Sequence, residues 1–338
     1  MATKGYQSYR GRMPGWKKIL IALLVVILVC AVAVLILQRN QVFDADGAHI
    51  KLPFGAQETL PPSDSSADAE EQDDGLVIDI QEPEAQLEEL HGRSFDAALL
   101  QEETFGALQP GERPVLTMKA ANGGVLYGGL QDAAAAMVRE KIADRQAVAR
   151  ISCFADTQKA DGDHSLAVMS VSGKAWRDPD GEAWLDPYNE TVTAYLVQIL
   201  RDCAELGFTE IVLEDVQFPN YGVLDRVTYG EQTDTPETRI AAIGAFLDAA
   251  HAAAEEAGVT LSVALPAALL ETGTDPVAGW DLADLAGRVD RIYMEAADQS
   301  AADSARAAVA ALREDVPAEV FFVAETAAAI IGGSYVLR

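Results

Sequence analysis

Two adjacent acids, Glu214 and Asp215, stand at the end of an apolar run in the sequence TEIVLEDVQFPNY, residues 209–221. The run predicts a buried β-strand that ends before a Phe-Pro turn. Because side chains alternate along a strand, Glu214 shares a face with Val212, whereas Asp215 is expected to point toward a helix layer or the turn. A carboxyl group held at a strand end can give or accept a proton. In so acidic a chain, both acids can also be solvated turn residues.

Short apolar runs with turn signals at their ends recur along the second part of the chain, with helix-like segments between them. The predicted strands are residues 95–99, 115–119, 148–154, 210–216, 260–265, 289–295, 320–324 and 334–337. This alternation predicts an α/β fold, a (β/α)8 TIM-like barrel over residues 92–338. A doubly wound open sheet is the alternative, which the lack of a Gly-rich phosphate loop after the first strand disfavours. In a barrel, Glu214 would lie at the catalytic, C-terminal end of the fourth strand.

Two of the intervening helices have clear sequence signals at both ends. Asn189 precedes the segment TVTAYLVQILRDCAEL, which Gly207 follows. Thr235 and Pro236 open the segment RIAAIGAFLDAAHAAAEEA, which Gly258 closes. Asparagine and threonine are N-cap residues and glycine is the usual C-terminal stop, so both segments are predicted as helices.

The N-terminal part of the chain predicts a membrane anchor. Residues 19–37 are 19 residues without a charge, long enough to span the roughly 30 Å hydrocarbon layer. Only basic charges precede them, so residues 1–18 are expected in the cytoplasm and the rest of the chain outside. A cleaved signal peptide is the alternative. Residues 38–91, rich in acids and poor in branched and aromatic residues, are predicted to be an acidic, disordered linker.

The charge balance disfavours several kinds of partner. The chain has 53 acidic and 25 basic residues, for a net charge of −28. Such a surface repels phosphate backbones, so nucleic acid is not expected as a partner. The four histidines show no metal-ligand spacing, and we expect no metal or other cofactor. Cys153 and Cys203 are predicted to be small buried core residues.

Several motifs are shared with one protein family. They are Ala149-Arg150-Ile151, Trp176-Arg177-Asp178, the turn from Trp184 to Asn189 (WLDPYN), and the strand exit from Leu213 to Pro219 (LEDVQFP). In this pattern, and in Lys119 after the second strand, the chain resembles a family of bacterial glycoside hydrolase domains. They are membrane-anchored or secreted TIM barrels, distantly similar to amylase-type barrels, with largely unknown substrates. The resemblance implies a polysaccharide or other glycan as the partner.

A glycoside hydrolase implies two carboxyl groups that face each other across the scissile bond. Glu214 matches an acidic position of the family and is the first candidate. The partner would come from another strand end, either Glu295 in RIYMEAAD or Glu325 in FFVAET, and the sequence does not separate these two.

The sequence also departs from the family pattern. Gln217 replaces an arginine, Ala120 replaces an acid, and Ala264 stands where the fifth strand would carry an aspartate. Three polar groups of the expected pocket are therefore neutral or absent. A catalytically inactive barrel that binds glycan as a surface scaffold is the second hypothesis.

Five residues are predicted to contact the substrate: Lys119, Arg150, Trp176, Tyr188 and Asp215. Lys119 and Arg150 could bind a hydroxyl or hold a carboxylate ionised, and core ion pairs are equally expected for them. Trp176 and Tyr188 lie in a long loop after the third strand, and flat aromatic rings suit the apolar faces of sugars. Alternatively, this loop needs its own small core.

Overall fold

The computed structural model describes residues 41–44, 47–50, 87–95, 108–327 and 332–338, and the chain divides into two compact units, residues 1–79 and 80–338. In the first unit, strands β1 (Gln41–Asp44) and β2 (Gly47–Ile50) form an antiparallel hairpin within the predicted linker. The predicted membrane span, residues 19–37, lies outside the described residues. Within the described ranges, no helix is both long and apolar enough to cross a membrane.

The second unit is a closed barrel of eight parallel strands, which confirms the barrel prediction and excludes the open sheet. The strands, in their order around the barrel, are β3 (His91–Phe95), β4 (Arg113–Lys119), β5 (Val148–Ser152), β7 (Glu210–Glu214), β9 (Thr260–Ala264), β12 (Arg291–Glu295), β13 (Phe322–Thr326) and β14 (Ser334–Leu337). β14 pairs with β3 and closes the barrel, with Val336 opposite Gly92.

Helices lie between the strands, outside the barrel. They are α1 (Ala133–Ile142), α2 (Thr157–Gly162), α3 (Glu190–Leu206), α4 (Pro236–Ala257), α5 (Leu269–Thr272), α6 (Leu282–Ala286), α7 (Gln299–Ala310) and α8 (Ala318–Phe321). Short two-residue strands lie in the loops: β6 (Met169–Ser170) pairs with β8 (Val227–Thr228), and β10 (Thr274–Asp275) pairs with β11 (Trp280–Asp281).

Both capped helices form where the sequence predicts them. The Asn189 side chain accepts the backbone N–H of Thr191 at the start of α3, and Gly207 ends that helix at φ 104°. Thr235 forms a capping box at the start of α4, which ends at Gly258 with φ 68°. A positive φ costs glycine little, so the two glycines end the helices without strain.

The barrel interior is apolar in its middle layer. Seven side chains pack there, one just before β3 and one from each of six strands: Leu90, Val115, Val148, Val212, Tyr293, Val323 and Val336. Glu214 follows Val212 by two residues on the same strand, so its side chain points toward the same interior, at the C-terminal end. The larger apolar core lies between the strands and the helices. Cys153 and Cys203 are buried there as free thiols, as predicted.

The first barrel strand lies four residues before the predicted one. β3 is His91–Phe95, so the prediction at 95–99 shares only Phe95, and residues 96–99 lie outside the described part. Gly92 weakens the strand pattern in the sequence, because glycine is uncommon in strands. In the structure, a Cβ at this position would lie only 3.0 Å from the side chains of both Val115 and Val336. Leu90, which we assigned to the linker, is fully buried in the barrel interior.

Candidate active site

Three glutamates lie at the C-terminal ends of barrel strands. Glu214 is the last residue of β7, Glu295 is the last residue of β12, and Glu325 is directly paired with Glu295 in the strand register. Their exposure differs widely: the side chain of Glu295 is 71% exposed, that of Glu214 is 27% exposed, and that of Glu325 is 3% exposed. Glu214 is therefore open to the barrel mouth, whereas Glu325 is enclosed.

Two arginines join these three acids into one row, which we call the acid–arginine chain. Arg150 donates to Glu214, with Nε 2.9 Å from Oε1, and its Nη1 donates to Glu325. Arg338 donates to the other oxygen of Glu325 and to Glu295. Charges of opposite sign therefore alternate along the row. Hydrogen bonds between a guanidinium and a carboxylate are among the stronger ones in proteins, so the row fixes the positions of the three glutamates.

Arg150 lies at the centre of this arrangement. It is almost fully buried on β5, and burial alone would lower its pKa, but the Glu325 and Glu214 carboxylates together raise its pKa above the ordinary value. The sequence left open whether Arg150 binds a substrate hydroxyl or pairs with carboxylates. In the structure, it is a buried arginine that holds carboxylates in place.

Asp215 lies beside this row and does not follow the alternation of the strand. β7 ends at Glu214, and Asp215 has a left-handed backbone with φ 51°. Its Oδ2 accepts the Ser152 hydroxyl at 2.5 Å. Ser152 is opposite Glu214 in the register of β5 and β7. Asp215 thus follows the end of its strand, and its carboxyl group contacts a side chain of the neighbouring strand β5.

The surroundings of Asp215 favour its neutral form. Burial raises the pKa of its carboxyl group, and the negative charge of Glu214 adds to this rise. The Ser152 hydroxyl and the charges of Lys119 and Arg150 act in the opposite direction without cancelling it. A half-buried acid with a raised pKa at the mouth of a barrel is suited to proton transfer.

Lys119 is a core residue and is not exposed to the mouth. Its Nζ donates to the backbone oxygens of Ser152, at 2.6 Å, and Ala155, at 3.2 Å, and lies 3.1 Å from Asp156 Oδ2. Both charged side chains are fully buried, and Tyr195 donates its hydroxyl to Asp156. All three ammonium hydrogens are thus directed at protein acceptors, which matches the ion-pair alternative for Lys119.

The two aromatic residues predicted as sugar platforms belong to the core of the loop. Trp176 is buried and donates its indole N–H to the Val223 carbonyl at 3.2 Å. Tyr188 packs against Phe218 and Tyr229, with ring centroids 4.8 and 5.3 Å apart. These contacts match the alternative that the long loop has its own small core.

Tyr221 is the aromatic ring that this region presents to solvent. The residue is 40% exposed, and its hydroxyl donates to Asp178 at 2.7 Å, with an oxygen of Asp180 3.2 Å away. The ring is therefore held by its polar end while its faces remain accessible. The sequence feature that points to Tyr221 is its position just after strand β7, three residues beyond Phe218.

No site for a metal ion is formed by the described residues, among which no three His, Cys, Asp or Glu side chains cluster suitably. Asp178, in the acid-rich turn DPDGE, uses its oxygens to accept hydrogen bonds from Trp184, Tyr221 and the backbone N–H groups of Asp180 and Glu182.

Two of the residues that differ from the family pattern lie near the mouth of the barrel. Ala264 packs against the apolar interior cluster at the end of β9, and the Gln217 amide donates to Asn220 at 3.2 Å. Neither side chain supplies a charge to the acid–arginine chain. At the opposite end of the barrel, a polar groove of about 680 Å³ is lined by residues that include Glu112, Arg113 and Asp144. In TIM barrels, this N-terminal end contributes to stability, and active sites lie at the other end.

The fold and the acidic mouth define a TIM-barrel domain of the glycoside hydrolase type. The chain belongs to the family described as "DUF4015: Putative glycosyl hydrolase domain", whose model matches residues 117–294. This confirms the resemblance seen in the sequence. No curated protein sequence matches the chain.

A solved structure shares the fold, and others are similar to parts of the chain. The PgaB (BpsB) glycoside hydrolase domain from Bordetella bronchiseptica is 12% identical, with a TM-score of 0.54 over 74% of this chain and 94% of that one. A hypothetical protein from Ruminiclostridium thermocellum is 24% identical, with a TM-score of 0.41 over 51% of this chain and 96% of that one. A variant of the PelA glycoside hydrolase domain from Pseudomonas aeruginosa is 15% identical, with a TM-score of 0.42 over 71% of this chain and 84% of that one.

Proposed function

We propose that this protein is a glycoside hydrolase that cleaves a polysaccharide with carboxyl groups at the C-terminal mouth of its barrel. The observation that carries the proposal is the convergence of Glu214, Glu295 and Glu325 at one end of the barrel. Family membership supports the same reaction class. Hydrolysis of a glycosidic bond needs an ionised carboxylate and a protonated partner near the anomeric carbon.

Glu214 is the ionised carboxylate in this proposal. It is partly exposed at the mouth, and Arg150 donates to it through two nitrogens. Glu325 is enclosed between Arg150 and Arg338, so we assign it to positioning Arg150 rather than to contact with the substrate. We assign the exposed Glu295 to substrate binding at the rim of the barrel.

The protein is also proposed to be anchored in the cell membrane through residues 19–37, with the barrel outside the cytoplasm. The support is the asymmetry of charge around this apolar segment, whose N-terminal flank is basic and lacks acids. Protease added to intact spheroplasts should degrade the barrel. A barrel that is digested only after lysis would contradict this orientation.

A screen of the full-length chain, purified in detergent, tests the activity. Purified cell-wall and secreted polysaccharides are incubated with the parent and with Glu214→Gln, and released reducing ends are measured. Release by the parent that falls by at least about 10² in the variant supports the proposal, since general acid–base groups contribute at least that much. Equal release by both proteins would contradict the role of Glu214.

A scaffold that binds glycan without cleaving it is the second candidate. The observation in its favour is that an arginine engages each of the three glutamates, while Gln217 and Ala264 supply no charge at the positions where the family carries one. In the same screen, retention of the protein on a polysaccharide without any product would favour the scaffold.

A further inference from the structure

Asp215 differs from the three glutamates in having no arginine bound to it. Arg150 donates to Glu214 and Glu325, and Arg338 donates to Glu325 and Glu295. Within the described ranges, Asp215 forms no ion pair, and its hydrogen bond comes from the neutral hydroxyl of Ser152. The ionised form of Asp215 therefore has no directly bound cation to stabilise it.

The Ser152 hydroxyl holds the Asp215 carboxyl group at this strand end. Ser152 Oγ lies 2.5 Å from Asp215 Oδ2 and 3.2 Å from the Ala155 carbonyl oxygen, but the hydroxyl carries one hydrogen. The shorter contact, to Asp215, takes this hydrogen, so the carboxyl group is held by a neutral donor and not by a cation.

The backbone of Asp215 brings the carboxyl group to the mouth. Asp215 and Asp144 are the described residues other than glycine with a positive φ. A left-handed backbone is unfavourable for an L-residue, although aspartate tolerates it better than most. Such strained positions are concentrated at functional sites. Here the strain places two consecutive carboxyl groups, one paired with Arg150 and one not, at the same strand end.

We propose that Asp215 is the catalytic acid of this site, paired with Glu214 as the ionised base. This assignment rests on the proposed hydrolase function. The Asp215 carboxyl group gives its proton to the glycosidic oxygen while the bond from the anomeric carbon to that oxygen breaks, and the bond's electron pair stays on the leaving oxygen. Water attacks the anomeric carbon and passes one proton to Glu214. Asp215 then takes a proton from solvent, and Glu214 releases one.

The charged and titratable groups that face Asp215 agree with this division of roles. Glu214 on its own strand opposes a second negative charge, and so raises the pKa of Asp215 beyond the effect of burial. Arg150 on β5 and Lys119 on β4 act against this rise, but Lys119 is already committed to Asp156. The neighbouring Cys153 thiol is neutral, since burial raises its pKa.

A titration of the full-length protein tests the assignment without any substrate. Aspartate carboxyl carbons are labelled with ¹³C, and the infrared bands of the protonated and ionised groups are followed with pH. Asp215→Asn should remove one component that stays protonated above the ordinary aspartate value of about 3.9. Asp225→Asn, an exposed acid of the neighbouring loop, is the matched control and should leave that component in place. If Asp215→Asn removes no such component, the assignment is wrong.

The kinetic test separates an acid from a structural residue. On the polysaccharide, Asp215→Asn should lose at least about 10² in rate and also lose the alkaline limb of the pH profile. On an aryl glycoside with a good leaving group, which needs no proton, the variant should keep most of the parent rate. Glu214→Gln should be slow on both substrates.

A parent that cleaves the polysaccharide while Asp215→Asn keeps its full rate overturns the assignment alone. A parent that cleaves no glycan overturns the hydrolase proposal together with it.

Discussion

Arg150 on β5 donates to Glu325 on β13, four strands away around the eight-stranded barrel. This ion pair therefore crosses the barrel interior above the apolar middle layer, and both side chains are nearly fully buried. Burying two charges is costly unless each is compensated by the other. The catalytic end of this barrel is consequently closed by an ionic layer in place of an apolar one.

The first prediction is that Arg150→Met destabilises the protein strongly. The substitution leaves the enclosed Glu325 with only the half-exposed Arg338 as a partner. Removing one member of a buried pair typically costs 3–5 kcal/mol, so we expect a loss of about that size in the free energy of unfolding, measured by denaturant titration.

Arg177→Met is the matched control for this measurement. Arg177 pairs with Asp161 at 2.7 Å, but both side chains are exposed. Exposed pairs contribute about 0–1 kcal/mol, so the control should be within about 1 kcal/mol of the parent. Equal losses in the two variants would mean that the Arg150 pairs are as well solvated as the surface pair.

The second prediction concerns Asp186, in the loop before α3. Burial raises the pKa of its carboxyl group to about 6, with a further contribution from the charge of Asp234. The unfolded chain releases this proton near pH 3.9, so between about pH 4 and 6 the folded state holds a proton that the unfolded state has lost. Stability contributed by this group therefore falls as the pH rises through that window.

Asp186→Asn removes this titration while it keeps an oxygen for the Tyr188 N–H, which Asp186 accepts at 2.9 Å. The variant should be more stable than the parent at pH 8, by on the order of 1–2 kcal/mol, and equal to it at pH 4. Thermal midpoints at the two pH values measure the difference. Asp315→Asn is the control of opposite sign, since Arg313 lowers the pKa of Asp315 to about 2. That variant should lose stability at pH 8 and approach the parent in acid.

The third prediction is that Tyr221 provides a stacking surface for sugar. Tyr221→Ala should weaken glycan binding roughly tenfold, which corresponds to about 1.4 kcal/mol, while the thermal midpoint stays close to that of the parent. Affinity electrophoresis in a gel that contains the bound polysaccharide measures the change. Tyr221→Phe keeps the ring and should bind nearly as well. Met137→Ala, an exposed apolar residue on the outer helix α1, is the control. Unchanged binding by Tyr221→Ala would exclude the ring from the site.

Local patterns in the sequence were sufficient to predict most of the barrel. The strand that begins at Glu210 and the helices capped by Asn189 and Thr235 depend on neighbours within a few residues. Each formed where predicted, although the strand ends at Glu214, two residues before the predicted end. The first strand depends instead on long-range packing, since Gly92 is required by the side chains of Val115 and Val336. Packing between residues this far apart in the sequence cannot be predicted from a local pattern.

The site was harder to predict than the fold, because its contacts join distant parts of the chain. Glu295 and Arg338 are 43 residues apart, and Arg150 and Glu325 are 175 residues apart. The sequence could name the acids at strand ends but could not pair them with arginines. It also could not show that the strand stops at Glu214 or that Asp215, with its left-handed backbone, contacts Ser152 on the neighbouring strand.

The last prediction separates the three glutamates by stability and by activity. In Glu214→Gln, Arg150 keeps Glu325 as its partner, so the thermal midpoint should change little while the rate on the polysaccharide falls by at least about 10². Glu325→Gln should lower the midpoint, because the carboxylate that joins two arginines is removed. Glu295 is mostly exposed, so Glu295→Gln should leave the midpoint unchanged and affect mainly KM. The midpoints come from calorimetry and the rates from reducing-end release. A Glu325→Gln protein as stable as the parent would contradict the enclosed position of that residue, and full activity in Glu214→Gln would remove Glu214 from the reaction.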